Sequence, residues 1–453
     1  MSSTRKICAG VAALVLMSSA ATLAHSASRL LLAVSDTDMV STGYHDGHLG
    51  PALGQPDTLS IFDLQTGKSA ALGSLPASNA MNSPANTLAV TPDGRLVLVA
   101  ETWGPRPEGS LKVSDLPPGN RLRAYDIRDP ANPRLVGDRQ VMSNPSGIAV
   151  SPSGDMVVVT GGPHSNGLVF LSLADGKLGE PQSVALDLAE RPDLSGDPAH
   201  QVRWHPSGDV LAVTLPLRSQ IAFFRIGRQG DRITGLTPWG TVQANKFPHV
   251  AEFTPDGRFL MTSDVQWGLD VPNLYDTLSQ GVLTTVRLAP LDDSGARPAH
   301  IVVGATHGGH QAEFLSISPD GKLLAIASIH TTSRPGDDPL FDPHASISLY
   351  RIDTESGRLS HSDTQRFVAT NPQGLAFDAS GDRLYLGVGE SRRGCGPQGR
   401  GRSLECGRGR HAGADGTAVS RTARRAHDRR RRLIAKKPTR SAAEAVASVT
   451  ETT

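Results

Sequence analysis

The sequence predicts an all-β protein, a seven-bladed β-propeller with an incomplete seventh blade. Three observations carry this: a hairpin motif that recurs six times, strand-period alternation on both sides of its turn, and a near absence of helical periodicity. The motif reads NTLAVTPDGRLVLVAE at 86–101, SGIAVSPSGDMVVVTG at 146–161 and HQVRWHPSGDVLAVTL at 200–215. It returns as HVAEFTPDGRFLMTSD at 249–264, EFLSISPDGKLLAIAS at 313–328 and QGLAFDASGDRLYLGV at 373–388. The turn residues Pro92, Pro152, Pro206, Pro255, Pro319 and Ala379 are spaced by 60, 54, 49, 64 and 60 residues, a period that belongs to a repeat array.

Each unit is readable as chemistry. Apolar residues two and four places before the turn, such as Leu88 and Val90 or Val202 and Trp204, mark a strand. Pro-Asp-Gly or Pro-Ser-Gly presets one φ and lets glycine take a positive one, as a tight hairpin needs. A Val- and Leu-rich second strand follows. Third strands read RLRAYDI (121–127), LVFLSL (168–173), IAFFRI (221–226), VLTTVRL (282–288) and SISLYRI (346–352). Fourth strands include PRLVGDRQV (133–141) and LSHSDTQRFV (359–368). Four antiparallel strands per 50–60 residues make a propeller blade. Before the six hairpins, LLLAVSD (30–36), TLSIFDL (58–64) and SAALGSL (69–75) read as the outer three strands of a first blade. Residues 28–390 shared among seven blades give about 52 each. A pair of β-sandwiches would leave the fixed turn motif unexplained.

The ends of the chain have different compositions. MSSTRKICAGVAALVLMSSAATLAHSAS opens with Arg5 and Lys6, then an apolar run of about ten residues, too short to span a bilayer, then small residues. This predicts a signal peptide over 1–27 and a periplasmic or secreted protein with no transmembrane segment. Cys8 precedes the apolar run, unlike a lipoprotein cysteine, and the other cysteines, Cys395 and Cys406, fall near the C-terminus. Residues 28–390 have none, which excludes disulfides and Cys-ligated metal there. Charge splits the chain too. Residues 1–390 carry 29 basic against 39 acidic side chains, a net −10; residues 391–453 carry 16 against 5, a net +11, with 14 Arg and no aromatic residue. The seventh blade breaks off after its second strand, and no closing strand for blade one is legible in this tail. A break in mid-blade favours an out-of-frame segment over a solvated disordered tail, and both over a nucleic-acid arm. No nucleic-acid partner is expected.

Chemistry is expected at one face. Six places before each turn stand Asn86, Ser146, His200, His249, Glu313 and Gln373, all polar, at the start of the innermost strand and so at the mouth of the central channel. Glu101, Asp264, His330 and Glu390 follow the second strands at the same end, with Arg218 just beyond blade four and His310 three places before Glu313. Long loops at 35–57, 101–120, 264–281 and 328–345 would wall a pocket there, with Trp103, Trp267 and Tyr275 as apolar surface. The first loop holds Tyr44, His45, Asp46 and His48, and two His and an Asp in a Gly-rich loop more often mark surface than ligands. A polar ring can equally serve only to satisfy backbone groups and water. Imidazoles and carboxylates suit a divalent ion, but no HExxH spacing supports one, and no cofactor is expected. Walker, G-x-S-x-G and Cys-nucleophile motifs are missing as well.

The repeated turn, the leading histidine and PHVAEFTPDGRFLMTSD resemble the seven-bladed lactonase-family propellers, among them the 6-phosphogluconolactonase-like and carboxy-muconate-cyclase-like proteins and the related YVTN-repeat surface proteins. The resemblance covers about residues 28–390. His249 matches the histidine of the His-x-x-x-Phe-x-Pro-Asp-Gly segment, and His200 occupies the same place one blade earlier. Pro248 stands where the family has Arg, and Asp264 stands near the end of the segment that reads Asn-Glu elsewhere. The resemblance implies a hydrolase in which His249 or His200 activates water, Asp264 or Glu101 orients that imidazole, and Arg218 holds a substrate carboxylate or the oxyanion. Asn86, His310, Glu313, His330, Gln373, Trp103 and Trp267 would contact the small-molecule ligand. The alternative is a non-catalytic propeller that binds a ligand or a protein partner on its looped face.

Overall fold

The computed structural model describes residues 30–37, 39–52, 54–65, 70–77, 86–161, 167–188, 199–267, 280–293, 298–389 and 444–445. The N-terminal leader, Tyr275, Glu390 and the basic tail apart from residues 444–445 lie outside them. Among the described residues the strands form seven antiparallel sheets, in which most neighbours are consecutive in sequence, as the repeat requires. Blade one comprises Leu30–Ser35, Thr58–Asp63 and Gly73–Pro76. Blade two begins at Leu88–Val90, blade three at Pro145–Val150, blade four at Gln201–Trp204, blade five at Pro248–Phe253 and blade six at Ala312–Ile317. Blade seven has two strands among the described residues, Gln373–Phe377 and Leu384–Gly387. In the tail, where no closing strand was expected, Glu444–Ala445 pair with Ser35 and Val34 on the inner edge of blade one. A backbone ladder can recruit any extended segment, because it reads N–H and C=O groups rather than side chains.

The turns explain their own motif. The Ser or Thr before the proline accepts the first amide of the second strand: Leu96 on Thr91 at 3.0 Å, Phe259 on Thr254 at 3.1 Å, Leu323 on Ser318 at 2.9 Å. The turn Asp accepts the amide two residues on, as in Asp256 with Arg258 at 3.1 Å. Glycine closes each turn at positive φ, +82° at Gly208 and +72° at Gly257.

The core lies between blades rather than within them. Innermost-strand residues two and four before the turn face the preceding blade, so Leu88 and Val90 pack with Leu32, Val34 and Ile61 of blade one. The opposite parity faces the next blade, so Ala251 and Phe253 of blade five meet Phe223 and Ile221 of blade four while Val250 meets Leu315 of blade six. Buried side chains of this size stabilise by about 1.5–3 kcal/mol each. The face of blade one turned toward blade seven is thinner: among the described residues it gathers Ala33 and Phe62 with Leu31. Hydrogen bonds from the blade-one loop supplement it. Asn371 Nδ2 donates to the Ser41 carbonyl at 3.0 Å, and Tyr44 Oη donates to Gln373 Oε1 at 2.8 Å.

The turns of blades four and five test this account. A Cβ on Gly257 would lie 2.2 Å from Nε2 of His205, which bonds the Gly257 carbonyl at 3.0 Å, whereas a Cβ on Gly208 meets nothing within 4 Å. Gly208→Ala should cost about 1–2 kcal/mol for the left-handed φ alone. Gly257→Ala should cost about 1–3 kcal/mol more. Equal losses of stability in chemical denaturation would show that the His205 contact is irrelevant.

Candidate functional site

Local backbone irregularity aims the site residues. In blade five the ladder pairs Pro248 with Asp264 and Val250 with Ser263, leaving His249 as the extra residue of a bulge. Blade six repeats this at Glu313, between the pairs Ala312–Ser328 and Phe314–Ala327, and blade three at Ser146. A bulge re-aims the side chain it carries. His249, Glu313 and Ser146 therefore escape the apolar face to which strand alternation would assign them.

His249, Glu313 and Gln373 form a buried chain across blades five to seven. Nε2 of His249 lies 3.9 Å from Oε1 of Glu313, an electrostatic contact longer than a hydrogen bond. Gln373 Nε2 donates to Oε2 of the same carboxylate at 3.3 Å, and Tyr44 Oη anchors the amide from the other side. Ser263 Oγ donates to the Glu313 carbonyl at 2.7 Å and fixes the bulge. His249 is 1% exposed and Glu313 0%. Aromatic rings surround the imidazole: Trp267 at 5.7 Å, Phe314 at 6.0 Å and Phe247 at 6.4 Å between centroids. The His200 ring lies 4.7 Å away, at 49° to it. Burial pushes the pKa of His200 down to about 4, and its enclosed Nε2 has no hydrogen-bond partner among the described residues. His200 is thus a neutral imidazole at physiological pH.

The other expected residues divide by role. Asp264 is wholly buried but faces Thr262, Thr284 and the Asn245 amide. Burial pushes its carboxyl up to about 6. Glu101 in blade two faces Arg123, with Nη2 to Oε1 at 3.4 Å. The carboxylate that faces His249 is therefore Glu313, not Asp264 or Glu101, and the difference arises from the bulges, which sequence periodicity does not report. Arg218 is half-buried in the single turn Pro216–Arg218 that follows the second strand of blade four. Asn86 and Ser146 stitch blades: Asn86 Nδ2 donates to the Ile148 carbonyl at 3.2 Å and Ser146 Oγ to the His200 carbonyl at 3.0 Å. His310 and His330 pair with each other, ring centroids 5.7 Å apart. Gln280 Nε2 lies 2.8 Å from His310 Nε2, and since that amide nitrogen only donates, the histidine accepts. His330 Nε2 meets Ser346 Oγ at 2.8 Å, and burial first, then His310, lowers its pKa to about 4. Trp103 is half-buried in the blade-two loop, bridged to Pro118.

Sequence reading missed Phe247 and Phe314 as walls, and it gave Tyr44 no role beyond its place in the first long loop. Tyr44 is buried on a short helical turn, Gly43–Asp46, whereas His48 in the same motif is exposed. An aromatic residue amid the polar YHDGH was the available signal. Among the described residues no three His, Cys, Asp or Glu side chains converge as metal donors would, and no helix is long and apolar enough to cross a membrane.

Comparison with known proteins agrees with this architecture. The chain is similar in structure to the periplasmic gluconolactonase of Pseudomonas aeruginosa, at 18% identity and a TM-score of 0.54, over 80% of this chain and 90% of that one. It is also similar to the β-propeller domain of Cps50 (Swd1) from Myceliophteria thermophila, at 11% identity and a TM-score of 0.51, over 75% and 89%. At such identities the likeness shows the fold alone. No curated protein matches the chain. The profile of the lactonase family, described as a seven-bladed β-propeller, matches residues 164–393, half of the sequence and the part that includes His200, His249, Glu313 and Gln373. By that match, and by its own seven sheets and repeated hairpin, the chain belongs to the seven-bladed β-propeller lactonase family.

Proposed function

We propose that the protein is an exported lactonase-like hydrolase that opens a small lactone of the sugar-acid type. The observation that carries this reading is the buried His249–Glu313 pair in a chain of the lactonase family. Lactone hydrolysis needs a base to take a proton from water as its oxygen adds to the ring carbonyl. It then needs a positive or donor group for the oxyanion, and a proton for the ring oxygen when the C–O bond breaks. His249 serves as the base and returns the proton to the leaving oxygen. Glu313, on the Nε2 side, stabilises the imidazolium that forms between those steps. His200, neutral at physiological pH, orients the neighbouring ring. Arg218, beyond blade four, neutralises the oxyanion or a substrate carboxylate. Trp267, Phe247 and Phe314 provide a dry wall in which the carboxylate–imidazole attraction is stronger than in water. Asp264 holds the backbone at Asn245 and does not turn over substrate. The reaction needs no metal in this scheme. The leader at 1–27 supports export, and the periplasmic neighbour is consistent with it.

Ring-opening of D-glucono-1,5-lactone and a panel of other lactones, followed by pH indicator with and without chelator, tests the reading. Turnover above the spontaneous rate, insensitive to chelator, is expected. Background rates across the panel would leave a non-catalytic binding propeller. His249→Ala should lose at least about 100-fold in kcat/KM with its circular dichroism unchanged, and unchanged turnover would remove His249 from the mechanism.

The raised carboxyl of Asp264 gives a second test. A group whose folded pKa lies above its unfolded value contributes stability fully present below about 4 and lost as pH rises through about 6. Asp264→Asn is free of that loss. The variant's melting temperature should move in its favour, relative to the parent, as pH rises from about 4 to about 7, by the equivalent of up to about 3 kcal/mol. A difference that stays constant with pH contradicts the assignment.

A further inference from the structure

We infer that Tyr44 and Gln373 are positioning residues for the Glu313–His249 pair, so that the blade-one loop that closes the ring also sets the site. This rests on the hydrolase reading for its kinetic consequence, but not for its geometry. Three contacts carry it. Tyr44 is 5% exposed although it lies in a long polar loop, and its hydroxyl donates to Gln373 Oε1 at 2.8 Å. That bond orients the amide, because a carbonyl oxygen that receives an O–H turns the amide nitrogen the other way. The nitrogen then donates to Glu313 Oε2 at 3.3 Å, and Glu313 Oε1 faces His249. If the amide flipped, its oxygen would confront the carboxylate and repel it. The residues come from three separate blades and a loop some 330 positions away in sequence, so the chain exists only when blade seven meets blade one.

The arrangement assigns a physical task. A neutral donor on Oε2 stabilises the ionised carboxylate and holds it where Oε1 meets the imidazole. Among the described residues, the titratable groups facing this chain include His249 from blade five, His200 from blade four with its ring 4.7 Å from that of His249, and, through Gln373, Tyr44 from the blade-one loop. Asn371 provides a contrast at the same seam. It bonds Ser41, Ser333 and Thr332, and so clasps blades seven, six and one without touching Glu313.

The experiment follows the His249 ring by NMR in full-length protein labelled with 13Cε1-histidine, assigned by loss of its signal in His249→Asn, alongside lactone kinetics. Tyr44→Phe should displace the His249 resonance and lower kcat about 10-fold with KM within about twofold. Gln373→Glu sets a second carboxylate beside Glu313. It should raise the acid limb of the pH–kcat profile and the His249 titration by about one unit. Asn371→Ala should lower Tm and leave the His249 resonance in place. An unmoved resonance in both Tyr44→Phe and Gln373→Glu overturns the proposal, as does an equal displacement in Asn371→Ala, which would reveal general loosening of the seam. Should Tyr44→Phe fail to fold, Gln373→Glu decides alone. If the parent opens no lactone while the resonance responds as expected, the hydrolase reading fails and the positioning chain stands.

Discussion

A propeller blade has two apolar faces and only its neighbours to bury them against, so the ring has to close. Every other feature of this molecule depends on that constraint. The inter-blade cores show it directly: Phe170 of blade three packs with Val202 and Phe224 of blade four, Phe223 with Phe253 of blade five, and Ile347 of blade six with Leu375 and Phe377 of blade seven. At the meeting of blades seven and one the apolar contact is thin, and oriented hydrogen bonds from the loop over 36–57 join the two sides. Hydrogen bonds contribute less than buried area but specify geometry more sharply, because a donor has to point at its acceptor. The weakest apolar seam is thus also the one best suited to convey position.

The site inherits this closure. His249 and Glu313 stand on adjacent inner strands, each displaced by a bulge from the pleat it would otherwise follow. Two bulges on adjacent inner strands present an imidazole and a carboxylate to each other, out of water and with aromatic rings around the imidazole. The same burial leaves His200 neutral and holds the Asp264 carboxyl above its ordinary range. Burial thus favours the uncharged form of each, lowering the pKa of the base and raising that of the acid. In blades two and three, Asn86 and Ser146 occupy the same repeat position and bond backbone carbonyls of the next blade. The His249–Glu313 contact thus occupies one arc of a pseudo-symmetric frame, in which the fold supplies positions and the side chains supply chemistry.

Much of this was legible before any coordinates. The turn motif located six hairpins and their spacing counted the blades. The polar residue six before each turn was singled out, and His200, His249, Glu313 and Gln373 do form a run of contacts across blades four to seven. Trp267 was expected as a wall and packs on His249. What did not follow was the pairing. Asp264 ends the hairpin that His249 begins, so sequence proximity favoured it as the partner, yet its oxygens are occupied by Thr262, Thr284 and Asn245. Glu313 lies 64 residues away and becomes the partner because the next blade stands beside this one.

The sequence by itself determined the repeat, the strands, the turn chemistry and the ring of polar positions, since each depends on residues within about one blade of one another. Only the tertiary structure decided which of those polar groups face one another. That choice rests on bulges, which break the period of two, and on ring closure, which brings Tyr44 to Gln373 across most of the chain. Local pattern encodes which side a residue takes along a regular strand. It does not encode where regularity fails, or what the far end of the chain places beside it.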